Sequence, residues 1–434
     1  MKTFKIILLF IATIVASCSK DDTPELPPPP TSNLSISSIN PTSGPKNTTV
    51  IVTGVNFSSN NTSNIVSLNG KPCTVNAASA TSLTITIPRG AGSGVIKLTV
   101  AGVTVQTPNF EYMVTPSAVS TVAGSTRGFA DGIGSNVLFN LPFGTTVDAV
   151  GNLYVADGDN HKIRKISPVG VVTTLAGSTF GFADGSNITA QFYAPTGVAT
   201  DASGNIYVTD SANHKIRKIS PTGVVSTLAG STVGFADGNG NNAKFDYPRD
   251  LVLDNQGNVY VADYNNSRIR KISPTGVVST FAGSTNGFSD GIGSSALFKN
   301  PRGLTIDLSG NLYVADQNNH KIRKITAAGV VTTIAGSISG FADGEGSTAK
   351  FSFPSGIAVD DLGNIYVSDT FNHKIRKISP SGIVSTFAGS TAGYVDGVTN
   401  TAKFLTPGGI AIDALGTVYV ADTDNNKIRK ITQD

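Results

Sequence analysis

The sequence predicts an all-β protein, a six-bladed β-propeller preceded by a small Ig-like β-sandwich, on three observations. The tripeptide Ile-Arg-Lys occurs six times with a constant period of 53 residues, beginning at residues 163, 216, 269, 322, 375 and 428. The tripeptide Ala-Gly-Ser keeps the same period. The chain also holds 47 Gly and no Trp in 434 residues, as is common where many short strands are joined by tight turns. A long period without insertions or deletions is typical of a repeat fold.

Residues 1–17 have the pattern of a signal peptide that is removed from the mature protein. Two lysines precede an apolar run at residues 6–14, which is too short to span a bilayer as a helix. The sequence Val-Ala-Ser-Cys at residues 15–18 resembles the lipobox of bacterial lipoproteins, and the alternative is an ordinary cleaved signal. The next four residues, Ser-Lys-Asp-Asp, resemble the export tag of surface lipoproteins. We therefore expect an outer-membrane lipoprotein exposed at the cell surface, which contacts the membrane only through the lipid on Cys18.

Residues 18–33 contain this anchor and a tether with four consecutive prolines, which favour a stiff extended spacer. The formal net charge of +3 falls to +1 once the two lysines of the signal are removed. A nearly neutral chain offers no electrostatic case for nucleic acid, and we expect none as a partner. Beyond the anchor, Cys73 is the only cysteine, and we expect it to be a small buried side chain rather than a reactive thiol.

Residues 34–114 lie outside the repeat and predict a separate domain. Apolar residues alternate in short runs between clusters of Gly, Pro, Asn and Ser, which is typical of antiparallel strands in an Ig-like sandwich. The stretches Ile-Asn-Pro-Thr-Ser-Gly-Pro at 39–45 and Val-Ile-Val-Thr-Gly-Val-Asn-Phe at 50–57 closely resemble the opening of IPT/TIG domains. The resemblance implies an immunoglobulin-like module, and we expect it to act as a spacer.

One 53-residue unit contains four short strands. In the second copy we expect strands at residues 195–201, 205–210, 213–219 and 224–230, separated by turns rich in Gly, Asn and Asp. Four antiparallel strands per unit are the plan of a propeller blade. The sixth unit ends after its third strand, and the missing fourth strand is present at residues 119–124. Pairing this segment with the last blade would close the ring and remove the open sheet edge.

Three motifs within the repeat carry a family resemblance. They are Pro-x-Gly-(Val/Ile)-Ala-x-Asp, Gly-Asn-(Leu/Ile)-Tyr-Val-x-Asp and Asn-His-Lys-Ile-Arg-Lys-Ile. Together they closely resemble the NHL repeat, with six copies in residues 119–434. The resemblance implies a β-propeller. It implies little about activity, because NHL propellers include binding platforms, sensor domains and a few lyases.

The polar residues that recur in every repeat are expected to be structural. The histidines occupy one repeat position and lie one per blade, so they should not converge on a metal; they are His161, His214, His320 and His373. Two recurring aspartates per repeat are expected to bond to local backbone N–H groups. We expect the basic residues of Lys-Ile-Arg-Lys in strand-edge ion pairs and on solvated faces, and the recurring Gly-Phe-Ala-Asp-Gly segment in loop packing. No metal, cofactor or catalytic residue is predicted.

Candidate ligand-binding residues are the positions where one copy departs from the others, since an enzyme or a binding site needs groups in differing environments. After the proline that opens each first strand, most copies have a small or apolar pair, but the third has Arg249-Asp250 and the fourth has Arg302. First strands line the channel of a propeller, so these residues should lie near its mouth. The unique aromatic residues nearby in repeat register are Tyr193, Tyr247 and Tyr264.

These six residues form a hypothetical anion- or sugar-binding patch, and the alternative is ordinary drift at exposed loop positions. The first functional hypothesis is a non-catalytic, monomeric surface lipoprotein whose propeller is a binding platform for a protein or a polysaccharide. The absence of Trp makes a sugar ligand less favoured. The alternative is a lyase or hydrolase of the NHL kind with a metal in the central channel, although the chain does not reproduce the metal-ligand sets of those enzymes.

Overall fold

The computed structural model describes residues 33–433 as two compact units, one ending at Met113 and the other beginning at Val114. The predicted signal peptide, Cys18 and the proline-rich tether lie outside the described residues. Within residues 33–433, no helix has the length and apolar character that a membrane span requires.

The first unit is a sandwich of two sheets. One sheet has the strand order Ser35–Asn40, Thr49–Val55, Ser82–Thr86, Thr74–Ala78. The other has the order Ser43–Gly44, Val103–Tyr112, Gly94–Val100, Asn64–Leu68, Lys71–Pro72. A single-turn 3-10 helix spans Asn61–Ser63.

The core of the sandwich follows from period-two alternation. Along Thr49–Val55 every second residue is buried, so one face packs on the opposite sheet and the other meets solvent. Cys73 is buried in this core, and burial raises the pKa of its thiol to about 11. The thiol therefore stays protonated and unreactive at neutral pH, as expected from the sequence.

The second unit is a ring of six β-sheets, and each sheet is one blade. The first strands, nearest the channel, span Pro142–Val147, Pro195–Thr200, Pro248–Leu253, Pro301–Ile306, Pro354–Val359 and Pro407–Ile412. The second strands span Leu153–Asp157, Ile206–Asp210, Val259–Asp263, Leu312–Asp316, Ile365–Asp369 and Val418–Asp422. The third strands span Lys162–Ile166, Lys215–Ile219, Arg268–Ile272, Lys321–Ile325, Lys374–Ile378 and Lys427–Thr432.

The outer part of each blade is built from the fourth strand and the connection to the next blade. The fourth strands span Val171–Ala176, Val225–Ala229, Val277–Ala282, Val330–Ala335, Ile383–Ala388 and, for the sixth blade, Ala118–Ala123. Five blades add a two-residue strand at the outer edge, at Gly132–Ile133, Gly238–Asn239, Gly291–Ile292, Gly344–Glu345 and Gly397–Val398. Short 3-10 turns span Gly134–Asn136, Gly158–Asn160, Ser211–Asn213, Gly240–Asn242, Gly293–Ser295, Gln317–Asn319, Thr370–Asn372 and Thr423–Asn425.

The ring closes as the sequence predicts. The strand Ala118–Ala123 pairs antiparallel with Lys427–Thr432, the third strand of the sixth blade. Consecutive first strands contact each other around the ring, including the strands of the first and sixth blades. Closure joins the two ends of the repeat region and leaves no unpaired edge at the seam. The prediction of a six-bladed propeller is confirmed.

Five of the six second strands are buried along their whole length, because each sheet is packed between two others. Every residue of Leu153–Asp157 is buried, and the same holds for Ile206–Asp210. Apolar side chains of one blade interdigitate with those of the next, as where Tyr207 packs with Val261. The two apolar faces expected from the sequence therefore correspond to two interfaces between blades.

The arginine of each Lys-Ile-Arg-Lys motif is fully buried, and the expectation of a solvated face is wrong for it. In the second blade, Arg217 Nη1 donates to Asp210 at 2.7 Å, and both side chains are inaccessible to solvent. Its Nη2 donates to the half-exposed Asp184 of the Gly-Phe-Ala-Asp-Gly loop at 2.6 Å. Phe182 of the same loop covers the guanidinium, with its ring centre 4.9 Å away. The loop is held by a charge network as well as by packing.

The aspartate that ends each second strand belongs to this network, so it does more than bond to a local turn. Asp210 accepts the backbone N–H of Tyr193, 17 residues earlier, and the side-chain amide of Asn213. Burial raises its pKa, while these donors and Arg217 lower it. The other recurring aspartate behaves as expected: Asp201 accepts the N–H groups of the turn that follows it, and these bonds lower its pKa.

The histidines join neighbouring blades, which is the structural role expected for them. His161 Nδ1 accepts the backbone N–H of Ala194 in the next blade at 3.2 Å. The equivalent bonds run from Tyr247 to His214 and from Phe353 to His320. Burial lowers the pKa of His161, so the ring is neutral at pH 7 and its Nδ1 is free to accept.

Candidate functional site

The six first strands begin at one end of the ring, which we call the upper face. Each first strand pairs antiparallel with the second strand, so its opening proline lies beside the aspartate at the second strand's end, as Pro248 lies beside Asp263. The turns between second and third strands, and the connections between blades, lie on the same side. The two residues after each proline form the mouth of the channel.

The second residue after the proline is glycine in five blades because the first strands approach each other closely there. A Cβ added at Gly303 would lie 2.0 Å from the carbonyl oxygen of Ser355 in the next blade. The same addition at Gly144 would meet the carbonyl oxygen of Thr196 at 2.2 Å. Asp250 occupies this position in the third blade. A side chain is therefore present where the repeat elsewhere leaves no room for one.

The carboxyl group of Asp250 bridges the third and fourth blades. It accepts the backbone N–H of Leu251 and that of Leu304 in the next blade, each at 2.9 Å. Burial raises the pKa of Asp250 to about 7, and these two bonds together with the charge of Arg302 oppose that rise. Each oxygen accepts one backbone N–H group, and Asp250 forms no ion pair with an arginine among residues 33–433.

Arg249 lies between two aromatic rings at the mouth. Its guanidinium carbon is 5.6 Å from the ring centre of Tyr247 and 5.2 Å from that of Tyr264. Burial lowers its pKa, and the guanidinium stays charged at neutral pH. Its Nε is buried and has no hydrogen-bond partner within the described part of the chain.

Arg302 reaches across the mouth. Its guanidinium carbon lies 3.9 Å from the ring centre of Phe143. Phe143 belongs to the first blade and Arg302 to the fourth, so the contact joins opposite sides of the six-membered ring. Burial and the like charge of Arg249 lower the pKa of Arg302 to about 9. Its Nε also lacks a hydrogen-bond partner among residues 33–433.

Below the mouth, the channel contains a cavity of ≈ 180 Å³. Its wall includes Phe143, Asp250 and Ser355 at the upper end. Farther along the first strands the wall is mainly apolar, with residues such as Leu251 and Ile357. Pockets that enclose a small molecule are typically larger, about 300 Å³ or more. The cavity can take a terminal group of a ligand, and the rest of such a ligand would lie on the upper face.

Five of the six candidate residues from the sequence meet at the mouth, and Tyr193 lies elsewhere on the upper face. The ring of Tyr193 is 45% exposed and packs against His161 and Phe180, with centroid distances of 5.7 and 5.9 Å. No contact joins it to either arginine within the described residues. It can extend a binding surface, but it does not shape the mouth.

Two residues of the mouth escaped the sequence analysis. Phe143 holds the position that is Arg249 and Arg302 in the third and fourth copies, and it is the only aromatic residue there. Gln317 accepts the Tyr264 hydroxyl at 3.0 Å and so fixes that ring. A column-by-column comparison of the copies would have found Phe143.

The described residues at the channel mouth include no group of metal-ligating side chains. No cluster of three or more His, Cys, Asp or Glu side chains suited to a metal ion occurs in residues 33–433.

Family models identify both parts of the chain. The IPT/TIG domain matches residues 34–112, and the NHL repeat matches residues 192–219, 245–272, 298–325, 351–378 and 404–431. The fold is a propeller, and the channel mouth on its axis is a candidate site. The chain thus belongs to the NHL-repeat family and contains an IPT/TIG domain followed by an NHL β-propeller.

Similar proteins share this architecture over most of the described chain. NHL repeat-containing protein 2 of Gallus gallus is 32% identical over 67% of this chain and 46% of its own length. A protein of unknown function from Bacteroides thetaiotaomicron has a similar structure, with a TM-score of 0.73, 25% identity and coverage of 94% of this chain and 99% of its own.

An auxiliary nutrient binding protein from Bacteroides ovatus has a TM-score of 0.58 and 20% identity, with coverage of 94% and 99%. At this identity the likeness concerns the fold alone. The chain spans less than half the length of the curated relatives it matches.

Proposed function

We propose that this chain is a non-catalytic binding protein whose propeller offers its upper face as a platform for a protein or a polysaccharide. The observation that carries the proposal is the pair of charged guanidiniums at the channel mouth. The guanidiniums of Arg249 and Arg302 make no hydrogen bond or ion pair with another described residue, whereas the repeat-encoded arginines are bonded to carboxylates. Two cations without protein partners are suited to a ligand.

The surroundings of the mouth support a large ligand. The cavity of ≈ 180 Å³ accepts only a small group. Around it, the upper face presents aromatic side chains that are partly exposed, among them Tyr247 at 38%, Tyr193 at 45% and Phe371 at 56%. Exposed aromatic rings are common anchors in binding surfaces. A binding role also agrees with the name of the auxiliary nutrient binding protein from Bacteroides ovatus, which shares the fold.

The proposal includes a location at the surface of the outer membrane, with the lipid on Cys18 as the anchor and the IPT/TIG domain as a spacer. Its support is the lipobox-like sequence at residues 15–18 and the proline-rich tether after it. Protease treatment of intact cells tests this part. We expect the propeller to be cleaved or released, and full protection of the protein in intact cells would contradict surface display.

The binding role is tested with the chain from Ser19 to Asp434, used in a pull-down and on a glycan array. Replacing Arg249 and Arg302 together by alanine should abolish binding of the captured partner. The matched control replaces Lys218 and Lys271, two lysines on third strands that lie over the rings of their own blades. The control removes the same charge at two positions away from the mouth and should keep the affinity. Equal loss in both variants would show a general charge effect and refute the site.

A further inference from the structure

The two guanidiniums at the mouth keep their hydrogen-bond donors free because aromatic rings hold them by their faces. The guanidinium carbon of Arg302, 3.9 Å from the centre of the Phe143 ring, lies over the face of that ring. The N–H groups of a guanidinium lie in its plane, so a contact through the face uses none of them. Arg249 is also flanked by aromatic rings, with ring centres 5.2 and 5.6 Å from its guanidinium carbon.

The fully buried arginines of the ring are each neutralised by the protein. Arg270 donates to Asp263 at 2.7 Å, to Asp237 at 2.6 Å and to two backbone carbonyls. A cation that is withdrawn from water favours such partners, because its desolvation is otherwise uncompensated. Arg249 and Arg302 are half-buried, lack these partners and also repel each other, as the lowered pKa of Arg302 reflects. A negatively charged ligand would supply the missing partner.

Asp250 does not supply that partner. Its oxygens accept backbone N–H groups and form no ion pair with either arginine, and burial raises its pKa to about 7, so it is only partly ionised at neutral pH. No other carboxylate lies within 4.0 Å of either guanidinium among residues 33–433.

We propose that the channel mouth binds one oxyanion of the ligand, a carboxylate, sulfate or phosphate group, between Arg249 and Arg302. Phe143 and Tyr264 are positioning residues that hold the guanidiniums by their faces and direct the N–H groups at the oxyanion. This inference rests on the proposed function and names the chemistry of the ligand. Oxyanions match the fork geometry of a guanidinium, which gives two parallel charge-assisted hydrogen bonds. The small cavity suits a single group of this size at the end or on the side of a larger ligand.

The test uses isothermal titration of the chain from Ser19 to Asp434 with sodium sulfate, inorganic phosphate and glucuronate, and with glucose as the uncharged control. At least one oxyanion should bind and glucose should not. The anion with the highest affinity identifies the source, a carboxylated, sulfated or phosphorylated ligand. Replacement of either Arg249 or Arg302 by glutamine should weaken binding about ten- to hundredfold, the range for losing hydrogen bonds to a charged group. Failure of all three anions to bind would overturn the inference.

Control variants separate a specific site from general charge. Lys218→Gln with Lys271→Gln removes two positive charges away from the mouth and should leave anion affinity unchanged. An equal loss in this variant would overturn the assignment. Thermal unfolding of every variant checks folding. The glutamine variants at the mouth should melt no lower than the wild type, because they remove the unpaired charge of a half-buried guanidinium.

The positioning role has its own readout. Phe143→Leu should weaken anion binding, whereas Phe143→Tyr, which keeps the ring, should restore it. Equal affinity of the leucine variant and the wild type would contradict that role.

The inference and the proposed function can fail separately. If anions bind and no macromolecule is captured, the oxyanion site is supported and the binding platform is contradicted. If a macromolecule is captured and both arginine replacements leave its affinity unchanged, the platform is supported and the oxyanion site is contradicted.

Discussion

The replacement of Asp250 by asparagine should make the protein more stable near neutral pH, and increasingly so as the pH rises. In the folded chain burial raises the pKa of Asp250 from 3.8 to about 7. The folded state thus holds this proton more tightly than the unfolded state. Ionisation of the carboxyl group therefore destabilises the folded state. Its penalty is absent below about pH 4, grows as the pH rises toward 7 and is complete above the folded pKa.

The magnitude follows from the same values. A tenfold change in a proton-binding constant is worth about 1.4 kcal/mol, so the ionised Asp250 costs the folded state about 4 kcal/mol. Asparagine cannot ionise, but its single oxygen cannot serve both backbone N–H donors, which offsets about 1 kcal/mol. The free energy of unfolding of Asp250→Asn relative to wild type should therefore rise by about 2–3 kcal/mol between about pH 5 and about pH 8.5.

Urea unfolding of both proteins, followed by far-UV circular dichroism across this pH range, measures the difference. The six aspartates that end the second strands are common to both proteins, so their own titration cancels when the two curves are subtracted. A difference that stays constant with pH would refute the reasoning, since it would mean that Asp250 has the same pKa in both states.

Four other results are expected. Anion affinity should fall as the pH rises through 7, because ionised Asp250 adds negative charge beside the site, and titration calorimetry should show no such step in Asp250→Asn. Arg217→Ala should lower the free energy of unfolding by about 3–5 kcal/mol because it leaves a buried carboxylate unpaired. Arg127→Ala, which removes a surface ion pair whose partners are 65% and 41% exposed, should cost less than about 1 kcal/mol in the same urea assay. Gly303→Ala should destabilise by about 2 kcal/mol or more, measured in the same way, since the new Cβ would lie 2.0 Å from the Ser355 carbonyl oxygen; an unchanged unfolding midpoint would contradict the close approach of the strands.

The period predicted the fold because it specifies both the blade and the closure. The predicted strands of the second blade agree with the structure to within one or two residues at each end. The third strand begins at Lys215 rather than at residue 213, because Asn213 ends a 3-10 turn and His214 adopts a left-handed φ of 55°. Local turn geometry of this kind is not encoded in hydrophobic periodicity.

The burial of the repeat arginines could not be read from their motif. Arg217 is neutralised by Asp210, seven residues earlier, and by Asp184, 33 residues earlier in a loop. The sequence shows balanced charges per repeat, but only the folding of the loop back onto the blade brings the second carboxylate into contact. Surface and buried ion pairs have the same composition, so composition alone favoured the commoner surface arrangement.

Part of the channel mouth could be predicted from the sequence. Arg249, Asp250 and Arg302 stand out as departures from the repeat, and the structure places them together. The contact between Phe143 and Arg302 also has a sequence signal, because the two residues occupy the same repeat position three copies apart. In a ring of six blades, such residues face each other across the channel. The unpaired state of the guanidiniums, however, depends on where every carboxylate of the upper face lies, and no pattern of spacing gives that.

The energetic character of the departures argues that they are maintained for a ligand. The repeat alone supplies a stable ring, since each blade carries its own buried ion pairs and its own apolar interfaces. Asp250 adds a side chain where five blades have glycine, and its burial opposes ionisation. Arg302 is charged, half-buried beside Arg249 and without a carboxylate. Costs of this kind in three neighbouring residues on the axis of an otherwise regular ring are typical of functional sites. A bound oxyanion would remove the cost at the two arginines, because it neutralises both guanidiniums and occupies their free N–H groups.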